Sequence, residues 1–163
     1  MPPWQCKGIP MAEKPGTQTI RLAIDSSLEY VFLIGLCVRG ICSYLPFDEV
    51  TAYQVEVSVV EAVNNAVKHA YKNQSGHDVE VLISLFEDRI VFEVCDVGRS
   101  MDSERIPTST IDFDPNRMEK LPEGGMGLHI IRSTMDSVEY RKTERRNVLT
   151  MSKLLPNKSR ESR

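Results

Sequence analysis

Glu61 and Asn65 stand four residues apart in a stretch otherwise rich in valine and alanine, and His69 follows after four more. On a helix that spacing stacks a carboxylate, a carboxamide and an imidazole on nearly one face. Buried without partners, the three would cost stability, and the spacing alone fits equally a stripe that faces water. Further on, Asp96-Val97-Gly98 closes an apolar run. A carboxylate there can accept hydrogen bonds from a ligand amine, and the glycine lets a ligand approach the backbone. The same pattern also describes any loop that leaves a strand. In Glu123-Gly124-Gly125-Met126-Gly127-Leu128, three glycines within four positions precede a helical segment. Free N–H groups at a helix start form an anion site that glycines let phosphates reach, although a hinge or tight turn has the same composition. The Lys-Ser/Thr of a P-loop is missing, and the segment does not follow a first strand as a Rossmann fingerprint does.

The elements that must position these groups are legible from periodicity. Thr19 to Ile24 alternate as a strand. A capping box with Ser26 at the cap and Glu29 three residues on predicts a first helix, which ends near Pro46. A second helix opens at Phe47-Asp48-Glu49 and runs to about Lys72, with Val50, Tyr53, Val57, Val60, Val63, Val67 and Ala70 as its apolar stripe. After the turn residues Asn73 to Gly76, Val79, Val81, Ile83 and Leu85 alternate, then Ile90, Phe92 and Val94, which predicts an antiparallel hairpin. A third helix spans Gly127 to about Met135, and Val138, Tyr140 and the run from Val148 to Leu155 close the sheet. The order of elements predicts an α+β fold, a two-layer sandwich with helices on one face of a mixed, mostly antiparallel sheet.

One domain, 17–155, accounts for the 163 residues, with tails at 1–16 and 156–163. The stretch 97–125 has no periodicity and is long for a structureless loop, so it is the candidate lid. The 20 basic and 23 acidic residues leave a net charge of −3, which supplies no basic excess for nucleic acid. The longest apolar run, Val31 to Val38, is too short to cross a membrane. Without a secretory signal, the chain is expected in the cytoplasm. Cys6, Cys37, Cys42 and Cys95 contain no CxxC pair, so free thiols are expected and a structural zinc site is not.

Taken together, the three segments supply an acid and an amide on a helix, a strand-end acid for a base, and a phosphate cradle beside a lid. In this conjunction the sequence resembles the Bergerat-fold ATPases. Glu61-x-x-x-Asn65 is similar to their N box, Asp96-x-Gly98 to the first glycine box, and Gly124-Gly125-Met126-Gly127-Leu128 to the second. The resemblance is closest to the bacterial anti-sigma-factor serine/threonine kinases, through Glu61 to Tyr71, Glu123 to Leu128 and Met135-Asp136-Ser137-Val138.

The resemblance implies that Asn65 holds Mg²⁺ through its side-chain oxygen, that Asp96 binds the adenine amine of ATP with Gly98 keeping the pocket open, and that Gly124, Gly125, Met126, Gly127 and Leu128 bind phosphates. It implies Glu61 as general base toward a serine or threonine hydroxyl, and gives His69 no catalytic role. The implied partners are a sigma factor and an anti-anti-sigma protein of the STAS class, and the resemblance admits a homodimer through the first strand or first helix. The alternative is a nucleotide-gated binding switch without useful transfer. Three positions depart from the family pattern: Arg99-Ser100 stands where a second glycine is usual, Glu123 where some members have arginine, and Arg146-Asn147 where the last strand often opens with Gly-Thr.

Overall fold

The structure is a computed structural model that describes residues 18–101 and 126–156. Five strands form one sheet in the order β1 (Gln18–Asp25), β2 (Asp78–Leu85), β3 (Arg89–Asp96), β5 (Asn147–Leu154) and β4 (Ser137–Lys142). All four pairings are antiparallel, the limiting case of the mostly antiparallel sheet expected. Among the described residues three α-helices, α1 (Leu28–Tyr44), α2 (Glu49–Asn65) and α3 (Met126–Thr134), form the second layer. The expected α+β sandwich is the one observed. The tails at 1–16 and 157–163, and 102–125 of the expected lid, lie outside the described residues.

The alternation in β2 and β3 maps directly onto the core. Val79, Val81, Ile83, Ile90, Phe92 and Val94 are buried with Leu149 and Met151 of β5. Across the helix layer they meet Val31, Ile34 and Val38 of α1, Val55, Val59 and Val63 of α2, and Leu128 and Ile131 of α3. Each such side chain contributes about 1.5–3 kcal/mol on full burial, which offsets the poor helix propensity of the valines in α2.

Two local expectations are corrected. Ser27, not Ser26, caps α1, its hydroxyl accepting from the Glu29 N–H at 3.4 Å. Ser26 is buried instead and ties the start of α1 to the loop before β2, its hydroxyl donating to the Gln74 carbonyl at 2.6 Å. The expected stripe of α2 holds in its second half, where Val63 and Val67 are buried, and is displaced in its first. Val50 and Tyr53 are exposed, whereas Val55, Ser58, Val59, Ala62 and Val63 face the core. Valine occupies so many faces of this helix that periodicity could not choose among them.

α2 is capped by Asp48, whose carboxylate accepts from the Thr51 N–H at 2.6 Å and is thereby held below the usual carboxylate range. Past Asn65 it widens into a π turn, Ala66–Ala70, in which the Tyr71 N–H reaches back to the Ala66 carbonyl at 3.1 Å. The turn ends where Lys72 and Asn73 take left-handed φ values of 53° and 59°.

Candidate functional site

Glu61 and Asn65 are half-buried on α2, whereas His69 of the same stripe is exposed. What covers them is the first turn of α3. A β-carbon built on Gly127 would lie 2.9 Å from Glu61 Oε2, 3.4 Å from Asn65 Nδ2 and 3.5 Å from Asn65 Oδ1. No side chain larger than glycine's hydrogen fits there without displacing the acid or the amide. Residues 61, 65 and 127, singled out separately in the sequence, therefore converge on one corner where α2 meets the start of α3.

His69 does not join them. It is exposed on the π turn and lines a different cavity, of about 650 Å³, with Ser26, Lys68, Asn73 and Ser75. The wider turn advances fewer degrees per residue than an α-helix, so the four-residue register that stacks Glu61 and Asn65 is not carried on to position 69.

The second part of the site is the exit of β3. Asp96 Oδ1 accepts from the Gly98 N–H at 3.0 Å and from Asn147 Nδ2 at 2.8 Å. Burial pushes the Asp96 carboxyl above its ordinary value, and these two donors hold back part of that rise. Gly98 is pressed against the end of α2. A β-carbon there would sit 2.5 Å from the Ala70 carbonyl oxygen, closer than any real contact. Arg99, the residue found where a second glycine is usual, donates its N–H to that same carbonyl at 2.9 Å. The substitution thus leaves the turn docked on the helix.

Two tyrosines fasten the same segment. The Tyr71 hydroxyl accepts from the Val97 N–H at 2.8 Å and donates to the Asp78 carbonyl at 2.9 Å. Tyr140 on β4 accepts from the Met101 N–H at 2.8 Å. Beyond Gly98 a cleft of about 510 Å³ opens between residues 97–100 and 142–147, with Arg99, Lys142, Arg145 and Arg146 along its walls.

The residues can hold the groups that the resemblance implies. The Asn65 amide oxygen is the kind of hard donor Mg²⁺ takes, and that ion commonly uses one or two protein ligands beside phosphate oxygens. Among the described residues no group of three or more His, Cys, Asp or Glu is placed to hold a metal ion. Met126 and Gly127 begin α3 and Leu128 is buried behind them, so the first turn of the helix lies beside Asn65. Gly124 and Gly125 lie outside the described residues. Sequence reasoning missed Tyr71, Tyr140 and the bond between Asn147 and Asp96. The only signal available was that residue 147 stood where the family has Gly-Thr.

Among the described residues no helix is long and apolar enough to cross a membrane. Residues 24–153 match the family described as the Histidine kinase-like ATPase domain. The chain is 33% identical over 121 residues to the serine-protein kinase RsbW of Oceanobacillus iheyensis, covering 74% of this chain and 77% of that protein. It is 32% identical over 133 residues to the serine-protein kinase RsbW of Bacillus cereus, covering 81% and 82%. The match spans α2, β3 and α3, which carry Glu61, Asn65, Asp96 and Gly127, and the chain belongs to the histidine kinase-like ATPase family, in the branch that holds the RsbW serine-protein kinases.

Proposed function

We propose that this protein is an ATP-dependent serine/threonine kinase of the cytoplasm that binds a sigma factor and phosphorylates an anti-anti-sigma partner of the STAS class. The observation that carries the reading is the contact of Glu61 and Asn65 with Gly127, which joins an acid and an amide to the start of a helix. The names of the relatives, serine-protein kinases, agree with it.

In this reading Asp96 accepts from the adenine amine, Gly98 keeps the base pocket open, and the N–H groups of residues 124–128 receive phosphate oxygens. Mg²⁺, held by Asn65, supplies positive charge to the triphosphate. Glu61 takes the proton of a serine or threonine hydroxyl as its oxygen bonds to the γ-phosphorus and the bond from that phosphorus to the β,γ-bridging oxygen breaks, with ADP leaving. The positioned base is worth about 10²- to 10⁴-fold in rate.

The test is incubation of the purified protein with Mg²⁺, radiolabelled ATP and STAS proteins from the same genome. Phosphoserine or phosphothreonine on one of them, lost by about 10²-fold or more with Glu61→Ala while ATP still binds, is the expected result. ATP binding with no transfer to any candidate would replace the kinase by a nucleotide-gated switch.

A further inference from the structure

Asn147 opens β5 directly opposite Asp96 in the β3–β5 ladder and is 3% exposed. Its Nδ2 donates to Asp96 Oδ1 at 2.8 Å and to the Gly98 carbonyl at 3.1 Å, while the Gly98 N–H donates to the same Oδ1 at 3.0 Å. The amide therefore grips both ends of the Asp96–Gly98 turn. Every hydrogen bond that the Asp96 carboxylate makes among the described residues goes to Oδ1.

That arrangement has a consequence for ligand choice. A carboxylate with two open oxygens is a paired acceptor and matches two adjacent N–H donors, as on a 2-amino-6-oxopurine. With Oδ1 engaged by two donors, only Oδ2 remains, which matches a single exocyclic amine. A base with two adjacent donors would leave one unmatched in a partly buried site, and unpaired donors are heavily discriminated against.

We propose that Asn147 is a positioning residue that sets the base preference of this site: by holding Asp96 Oδ1 against the Gly98 peptide it leaves Oδ2 as the sole acceptor, and so selects 6-aminopurine nucleotides over 2-amino-6-oxopurine ones. The inference rests on the nucleotide reading above and assigns a role to a side chain that departs from the family pattern. Asn147 acts through Asp96 and need not touch the base.

Asp96 can be followed without any ligand. The titratable groups in electrostatic reach of it are Tyr71 at the end of α2, Tyr140 on β4 and Cys95 beside it on β3. All three are displaced upward by burial and stay neutral through the range in which a carboxyl titrates. Glu80 on β2 and Arg146, both in electrostatic reach of the neighbouring Cys95, pair with each other at 3.3 Å.

The experiment measures the affinities of Mg-ATP and Mg-GTP, and the Asp96 carboxyl titration by carbon NMR in the unliganded protein, for wild type, Asn147→Ala and Asn147→Thr. Wild type is expected to prefer ATP by about tenfold or more. Asn147→Ala should lose most of that ratio and raise the Asp96 pKa, and Asn147→Thr, which keeps one donor at nearly the same volume, should restore both in large part. Should Asn147→Ala fail to fold, the Asn147→Thr variant, with one donor in place of two, still carries the test through a partial shift of the Asp96 titration. Equal weakening of ATP and GTP, or an unmoved Asp96 titration, would overturn the proposal and leave Asn147 as a turn fastener. A wild-type protein that binds neither nucleotide would overturn the nucleotide reading itself, and the NMR titration would still show whether Asn147 governs Asp96.

Discussion

Gly127 in the first turn of α3 lies so close to Glu61 on α2 that a β-carbon on it would stand 2.9 Å from the carboxylate oxygen. The atoms in its way are the ends of two flexible side chains, Glu61 and Asn65, and not backbone. Gly127→Ala should therefore fold, and alanine is the better helix former. The thermal midpoint should stay at or slightly above wild type while Mg-ATP affinity or phosphoryl transfer falls by about tenfold or more, because acid and amide must move aside. A variant with wild-type nucleotide affinity and transfer would show that the contact has no bearing on the site.

Gly98→Ala should behave in the opposite way. Its β-carbon would meet the Ala70 carbonyl oxygen at 2.5 Å, and that neighbour is backbone. The turn must lift from α2, straining the Arg99 N–H bond to Ala70. A loss of about 1–3 kcal/mol is expected from overpacking, read as a lower urea midpoint at unchanged slope. Stability equal to wild type would mean that the β3 exit is not docked on the end of α2.

These two glycines mark how far the sequence could be read. The alternation of Val79, Val81 and Ile83 against Ile90, Phe92 and Val94 was legible because one face of the sheet is buried and the period of two has no competitor. The residues 61, 65, 96, 98 and 127 were legible because their types and spacings are unusual within apolar surroundings. The phase of the first half of α2 was not, since Val50 and Val57 carry the same hydrophobicity as Val55 and Val59 and only the placement of α1 and the sheet decides among them. The cap at Ser27 lost to Ser26 in the sequence because both are good caps, and the long-range bond from Ser26 to Gln74 settles the choice. Asn147 was unreadable as a partner of Asp96 because they are 51 residues apart and only strand register brings them together.

Tyr71→Phe removes one oxygen that serves two strand ends, the Val97 N–H and the Asp78 carbonyl. Tyr71 is buried, so the two backbone groups are left without that partner. The expected cost is about 1–3 kcal/mol, with faster hydrogen exchange at the Val97 amide. Unchanged exchange there would show that the hydroxyl does not hold the exit of β3.

Burial raises the thiols of Cys42 and Cys95 from 9.0 to about 11, with desolvation the main cause in both. Cys37 is exposed on α1. At pH 8 a thiol reagent should modify Cys37 quickly and leave Cys42 and Cys95 untouched until the protein unfolds. Because the unfolded thiols ionise near 9.0 and the folded ones resist to about 11, their contribution to stability is complete below pH 9.0 and declines as pH rises through that interval. Rapid labelling of either buried cysteine at pH 8 would contradict the packing described for α1 and β3.

The central claim is that Glu61, Asn65, Asp96 and Gly127 line one ATP site. Isothermal titration of Mg-ATP into wild type and Asn65→Ala tests it most directly, with thermal midpoints confirming that both are folded. The account predicts micromolar-range binding to wild type, weakened by tenfold or more, about 1.4 kcal/mol, in the variant. Binding of equal strength in both, or no heat in either, would contradict it.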